Sequence, residues 1–508
     1  MPLYDLTFTR FFGIISVLYS GEVIMSESIK TVFNTVLTGF ENAVGVTNTA
    51  LYTYILIVLL VLAGLYFTVR TRFAPFRLFG EQIRSVMEKP STDKNGNKKV
   101  SSFQALMVST ASRVGTGNIV GVSTAICLGG FGSVFWMWVI AIIGSASAFI
   151  ESTLAQIYKK KGPDGCYGGP AYYIQGALKN RPLAIVFSVL LIATYGVGFN
   201  MLASYNLQST FSAYSFYNEA STPWIIGAVV AALVAICLFG GGKRIIKITS
   251  LLVPIMGIAY ILVALAVTAV NFKMLPGVFS RIFTEAFDFQ AIFGGFTGSC
   301  VMYGIKRGLF SNEAGVGSAP NASASADVSH PAKQGLVQVL SVFIDTILIC
   351  SATAFLCMCS GVEPTEKLSG APYVQAALSA VLGSFGPIFI TVAMILFAFT
   401  TLLGNLYYVD QGIYFINGKI PGKKFTAFYR IVASLLIFLG AGLNASLLWD
   451  ISDVLMGAMT IINIPVIIIL GKYALRTLKD YEMQKKAGKD PVFKAKDIDL
   501  PDEVDCWK

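Results

Sequence analysis

Two polar stretches break into apolar runs of this chain: RVGTGNIVGV at residues 113–122 and RGLFSNEAGV at 307–316. Aligned on the arginine, both read R-x4-N-x2-G-V, so Arg113, Asn118, Gly121 and Val122 match Arg307, Asn312, Gly315 and Val316. Gly115 and Gly117 let the first stretch leave helical geometry. A helix restarting near Thr116–Asn118 would present free N–H groups and the positive end of its dipole, a setting suited to a carboxylate. Thr116, Gly117 and Asn118 are therefore the first candidates for ligand contact. The alternative is packing, because Gly117 and Gly121 form GxxxG, a motif of closely approaching membrane helices. GTGN lacks the lysine of a phosphate-binding loop, which argues against nucleotide chemistry. One histidine (His330) and eight cysteines without a CxxC pair speak against a metal centre or disulfide framework. With no convergent nucleophile and base, neither an enzyme nor a cofactor is expected.

These stretches must be held by membrane helices. Of 508 residues, 55% are hydrophobic and 13% charged, against about 25% charged in soluble proteins. Apolar runs of roughly 20 residues, the length that crosses a bilayer, recur throughout. The runs predict an all-α polytopic membrane protein with eleven transmembrane helices: 50–69, 104–129, 133–157, 183–209, 223–240, 248–270, 291–317, 335–360, 385–416, 430–446 and 449–470. The loops of one side hold 30 of the 38 Lys and Arg residues, those of the other side five, and Arg113, Lys306 and Arg307 lie within spans. The positive-inside rule then puts the N-terminus outside and the C-terminus in the cytoplasm of a cell membrane. The net charge of +10 is thus a feature of these loops, not a nucleic-acid signal, and no obligate protein partner is indicated.

A second matched pair, YIQGAL (173–178) and YVQAAL (373–378), follows the first in order, with offsets of 200 and 194 residues respectively. Setting aside the first span, the two pairs lie five spans apart and face opposite directions. This is the pattern of a five-plus-five inverted repeat with broken core helices one and six, the arrangement that points to a midplane binding site in transporters. The expected organisation is an extracytoplasmic segment (1–49), an extra span (50–70), a basic cytoplasmic loop (71–103), two repeats (104–270 and 291–470) and a cytoplasmic tail (471–508). Ile29, Val32, Phe33, Val36, Leu37, Phe40 and Val44 share one stripe, predicting an amphipathic helix on the outer surface. The apolar run around 11–19 is too short to span, and a signal-peptide core is the minor alternative. The tail after 470 is polar and expected to be partly disordered.

RVGTGNIVGVSTAI, YGGPAYYIQGAL, GGKRIIKITSLLVPIMGIAYIL, RGLFSNEAGVGSAP, HPAKQGL, FIDT (343–346) and FAFTTLLG (397–404) together resemble the alanine or glycine:cation symporter family, from about residue 50 to 470. The resemblance implies a leucine-transporter-like fold and sodium-coupled import of small neutral amino acids, alanine or glycine first, by alternating access. Proton coupling, or exchange of another neutral amino acid, is the alternative. Two positions depart from the family pattern: Ala203 stands where a glutamine is common, and Asn405 where an aromatic is common. Both bear on substrate identity.

For a zwitterionic substrate, the break in the sixth core helix would offer carbonyls near Tyr303–Gly308 to the ammonium, which adds Tyr303 and Gly304 to the substrate set. In the leucine-transporter-like fold one sodium sits between two carbonyls on span one and a carbonyl with paired hydroxyls on span eight. The matching residues are Ala111 and Val114, then Phe397, Thr400 and Thr401. Adjacent membrane threonines alternatively bond back to their own helix. Charged residues inside membranes tend to be paired or functional. Arg113 and Arg307 are expected to serve cytoplasmic-side gating or structural pairing with Glu151, Glu313 or Asp345. Glu313 alternatively complements a helix N-terminus, and Asp345 is either a structural partner or a proton site.

Overall fold

A computed structural model describes residues 27–92, 99–162, 165–295, 299–500 and 504–507, with side chains given from residue 35 onward except at 291 and 293. Contacts divide the chain into a unit ending at Thr47 and one from Asn48 to Lys508. The described part of the first unit is helical, within Glu27–Ala50. Val36, Phe40 and Val46 are exposed there. The run around 11–19, like Ile29, Val32 and Phe33 of the proposed amphipathic stripe, lies outside the described side chains.

Among the described residues the second unit is helical apart from one hairpin. Seven of the described helices are long and apolar enough to cross a membrane: Thr35–Arg70, Gly132–Ile157, Arg181–Ala213, Gly241–Val270, Pro331–Met358, Phe385–Asn417 and Ala445–Lys486. The molecule is a polytopic helical membrane protein. Shorter apolar helices cover Gly117–Gly129, Thr222–Leu238 and Ala371–Leu382, and Lys423–Gly440 is a further helix. The hairpin pairs Lys160–Gly162 with Gly165–Tyr167, Lys161 lying opposite Cys166. It departs from a purely helical expectation.

Local sequence explains where helices start. Ser101 accepts from the Gln104 amide and the Gln104 side chain accepts from the Ser101 amide, a reciprocal cap on Ser102–Arg113. Ser299 and Asn444 cap Cys300–Asn312 and Ala445–Lys486 by a simple side-chain acceptance from the first turn's amides. Small residues let the helices approach closely, as expected where lipid removes the hydrophobic drive. A Cβ on Gly304 would sit 2.5 Å from the Ser133 carbonyl oxygen, and one on Gly404 2.7 Å from the Ser112 amide nitrogen.

The end of the chain differs from expectation. The last helix continues to Lys486, well beyond residue 470. The segment after it folds back: the Phe493 amide donates to the Ser329 carbonyl at 2.9 Å, and the Trp507 indole N–H donates to the Gln156 carbonyl at 2.7 Å. Phe493 packs edge-on to both His330 and Trp507. Two aromatic anchors thus order a stretch whose overall polarity reads as disorder.

Candidate functional site

Helix Ser102–Arg113 stops at Val114, whose ψ of 86° leaves helical space, and a π-helical turn restarts at Gly117–Gly121. The interruption is where the glycines place it. A constricted cavity of about 10 Å³, room for roughly one water, opens against it, lined by Ser112, Arg113, Gly115, Thr116, Gly117, Phe199, Ala203, Phe310 and Thr401.

Thr116 and Gly117 line this space, and the Thr116 hydroxyl accepts from Asn206 Nδ2 at 3.1 Å. Asn118 is absent from the lining. Its Oδ1 accepts from the Gly115 amide at 2.8 Å, bracing the broken turn. Its Nδ2 donates to Asp345 Oδ1 at 2.7 Å and Ser311 Oγ at 3.0 Å. Asn118 therefore ties the break to two neighbouring helices.

The second interruption lies further along than the sequence suggested. Tyr303 and Gly304 belong to the uninterrupted helix Cys300–Asn312, and neither lines the cavity. Gly304 and Gly308 serve close packing against Gly132–Ile157 instead. The chain leaves the helix at Glu313, which has φ +52°, and Gly315 and Gly317 follow at +85° and +91°. Positive φ favours glycine, so the glycines of EAGVG, not those of YGIKRG, mark the true break.

Of the residues proposed for sodium, Ala111 and Thr401 lie at the contact between two helices, while Thr400 Oγ1 faces Met256 Sδ at 3.4 Å and Phe397 packs on Tyr260. A Cβ on Gly404 would lie 3.2 Å from the Ala111 carbonyl carbon, and one on Gly115 would collide with Thr401 Oγ1. Helix Phe385–Asn417 thus presses on the broken helix along Ala111–Gly115, with Phe397, Thr400 and Thr401 buried. Thr400 Oγ1 donates within its own helix, towards Leu396 O at 2.9 Å and Phe397 O at 3.1 Å. Thr401 Oγ1 is buried with no hydrogen-bond partner among the described residues. Such a hydroxyl is costly unless something binds it.

Among the described residues no ion pair within 4.0 Å joins Arg113 to Glu151, Glu313 or Asp345, although its charge acts on all three carboxylates, each of which also accepts other hydrogen bonds. Glu151 accepts from Asn463 Nδ2 at 2.9 Å and the Gly315 amide at 3.4 Å. Glu313 accepts from Ser318 Oγ at 2.5 Å and Ser112 Oγ at 3.5 Å. Asp345 accepts from Asn118, Ser311 and Thr346. Arg113 donates to Gln338 Oε1 at 3.2 Å, while its Nε and Nη2 have no partner among the described residues.

Arg307 instead binds Asp453 through both terminal nitrogens, at 3.0 and 3.4 Å, and Lys306 reaches the same carboxylate at 3.0 Å. The Arg307 guanidinium lies 4.0 Å from the Trp449 ring centroid. Trp449 packs on Phe310, and Phe310 on Phe199 at 4.5 Å between centroids. An aromatic stack thus leads from the ion pair to the cavity. Asp453 and Trp449 stand some 140 residues from Arg307 in sequence and carry no local signal. Asn405, the second departure from the family pattern, accepts from Ser112 Oγ at 2.6 Å and donates to Asn200 Oδ1 at 3.0 Å. It bridges helices, whereas Ala203 lines the cavity.

Residues 37–495 match the sodium:alanine symporter family. The chain belongs to that family. It is 44% identical over 469 residues to the amino-acid carrier protein AlsT of Bacillus subtilis (strain 168), covering 92% of this chain and 98% of AlsT. The probable sodium/glutamine symporter GlnT of the same organism is 43% identical, covering 92% and 96%. The sodium/proton-dependent alanine carrier protein of Bacillus sp. (strain PS3) is 38% identical, covering 79% and 92%. Membership in this symporter family makes the chain a transporter rather than an enzyme, and a small cavity lined by polar and apolar residues at an interrupted helix accords with that.

Proposed function

We propose that the chain is a sodium-coupled symporter that imports small neutral amino acids, alanine or glycine first, by alternating access in the cell membrane. The observation that carries this is the unpartnered Thr401 hydroxyl beside the break at Val114–Thr116. A hard cation takes several oxygen ligands, and the Ala111 and Val114 carbonyls, the Phe397 carbonyl and the Thr400 and Thr401 hydroxyls are the set proposed for it. The Thr400 hydroxyl uses its proton on its own helix, which leaves lone pairs for a cation. The substrate carboxylate sits at Thr116 and Gly117, where the turn beginning at Gly117 directs its N–H groups, with the unmatched Arg113 N–H groups alongside. Phe199, Ala203 and Phe310 bound its side chain.

The architecture that goes with this reading is eleven spans: one extra helix, then an inverted repeat of 104–270 and 291–470 in a leucine-transporter-like fold. The N-terminal segment (1–49) lies outside, and the loop 71–103 and tail 471–508 are cytoplasmic. In that orientation Asp453, near the outer start of the last span, lies in the outer half and Arg307 reaches it from the middle of its own span, so their pair, with Trp449 and Phe310, would close the outer path to the cavity rather than the cytoplasmic side expected from the sequence.

Two alternatives have specific support. The PS3 relative is named sodium/proton-dependent, which keeps proton coupling open, and GlnT is named for glutamine, which suits the room that Ala203 leaves. Uptake of labelled alanine, glycine and glutamine into proteoliposomes under imposed sodium or proton gradients decides among them. Uptake that is undiminished when choline replaces sodium overturns sodium coupling, and absence of amino-acid uptake under every gradient overturns the function.

A further inference from the structure

Two cysteines 340 residues apart in sequence meet outside the apolar spans. Cys166 lies on the second strand of the hairpin and Cys506 in the final segment, with Sγ atoms 3.9 Å apart. Neither is fully buried and both are free thiols. Cys506 lies beyond the residues that match the family.

We infer that Cys166 and Cys506 form an oxidisable pair, which an oxidant of the peroxide class converts to a disulfide that fastens the tail across the end of helix Gly132–Ile157 and arrests transport. The arrest rests on the symport reading above; the disulfide does not.

Several contacts present the two thiols to each other. Trp507 donates its indole N–H to the Gln156 carbonyl and lies under the Lys159 ammonium, 4.7 Å from the ring centroid. Lys160 and Asp505 pair at 3.0 Å, and the Cys506 thiol faces the Lys159 carbonyl at 3.6 Å. Joining the sulfurs needs an approach of about 2 Å, to the 2.03–2.05 Å of a disulfide. A short hairpin and a chain end can supply that displacement without disturbing a membrane helix.

The chemistry balances within the pair. The Cys506 thiol, hydrogen-bonded to Cys166, holds the Cys166 thiol well below its ordinary range, at about 6; burial opposes this and the Lys159 ammonium adds to it. The Cys166 thiolate attacks one peroxide oxygen, the O–O bond breaks, and the departing hydroxide takes up the proton Cys166 released, leaving as water. Cys506 sulfur then attacks the sulfenic sulfur, the S–O bond breaks, and the second hydroxide leaves as water with the Cys506 proton. Two thiols lose two electrons and one peroxide becomes two waters.

The place matters for transport. Gln156 Nε2 donates to the Ser323 and Ala326 carbonyls, at 2.5 and 3.1 Å, and Lys159 Nζ to Ala326 O at 2.9 Å. Those carbonyls follow the interrupted stretch at Glu313–Gly317 by a few residues. A covalent tie between the hairpin and the tail stiffens the end of helix Gly132–Ile157, whose Gln156 and the adjoining Lys159 hydrogen-bond the segment after the second break, and so opposes rearrangement around that break.

The test uses the full chain in proteoliposomes, treated with hydrogen peroxide and then with a thiol reductant. Non-reducing peptide mass spectrometry should find a Cys166–Cys506 cross-link in wild type, with uptake reduced several-fold and restored by the reductant. Cys166→Ser and Cys506→Ser should each transport normally before oxidation and resist peroxide. Absence of that cross-link where other thiols are oxidised overturns the proposal, as does a cross-link that leaves uptake unchanged. Loss of uptake before any oxidation would count against the symport reading alone, because the cross-link is read independently of it.

Discussion

Replacing Thr401 with valine separates a cation ligand from an idle hydroxyl, because the two roles shift stability and ion affinity in opposite senses. The Thr401 hydroxyl is buried and unpartnered among the described residues, and an unsatisfied buried polar group costs about 1–3 kcal/mol. Valine keeps the branched shape and removes that cost, so without sodium Thr401→Val should be as stable as wild type or more so. If the hydroxyl ligates sodium, its loss resembles loss of a hydrogen bond to a charged group, about 1.5–3 kcal/mol. With about 1.4 kcal/mol per factor of ten, sodium affinity should fall roughly tenfold to a hundredfold. Substrate affinity should fall with it at limiting sodium and recover at saturating sodium, since linkage is reciprocal. Thermal unfolding in detergent and substrate binding, each across a sodium titration, measure both effects. An unchanged sodium midpoint in Thr401→Val, or a substrate defect that persists at saturating sodium, refutes the assignment.

Gly404→Ala places a Cβ against the Ser112 backbone, and such overpacking costs about 1–3 kcal/mol; the thermal midpoint should drop and sodium dependence weaken together. Asp453→Asn leaves Lys306 and Arg307 facing a neutral group, and breaking a buried pair costs about 3–5 kcal/mol. Thermal melts should show a large loss, while Asp453→Leu with Arg307→Met should regain stability but not tight closure of the outer path, read as leak of substrate from loaded vesicles. An impermeant maleimide applied to intact cells should label a cysteine at Lys367 but not one at Lys89; the reverse overturns the orientation. Alkylation of Cys166 by iodoacetamide should remain rapid at neutral pH and slow as pH falls through about 6. Cys506→Ala, which removes the hydrogen-bonding side chain, should raise that midpoint.

What the sequence disclosed follows from how locally each feature is encoded. The first break was legible because Gly115, Thr116, Gly117 and Asn118 interrupt an apolar run, and Gly115 and Gly117 serve both the break and the close approach of Thr401 and Phe310. The second was displaced by more than two turns because glycine has two uses: Gly304 and Gly308 admit a neighbouring helix, while Gly315 and Gly317 adopt positive φ. Composition does not distinguish these uses; backbone geometry does. Asn118 read as a ligand residue but turns its amide to Asp345 and Ser311. The pairing of Arg307 with Asp453 was invisible because nothing near either residue names the other. The tail hid its order for a related reason, since two aromatic anchors are diluted among charged neighbours.

The Ser112–Asn405–Asn200 bridge bears on how the chain is assembled during synthesis. Once inserted, helices gain little from hiding apolar surface in lipid, and interhelical hydrogen bonds average about 0.6 kcal/mol. Individually weak, these clasps act mainly as alignment marks. Here the central mark arrives late: Ser112 and Asn200 are made in the first half of the chain, and Asn405 joins them only in the last quarter. Until then the broken helix and its neighbour hold unmated polar groups within the bilayer. A chain stalled before residue 405 is therefore marked by exposed polarity that membrane quality control can recognise, and completion of the cavity coincides with the disappearance of that mark.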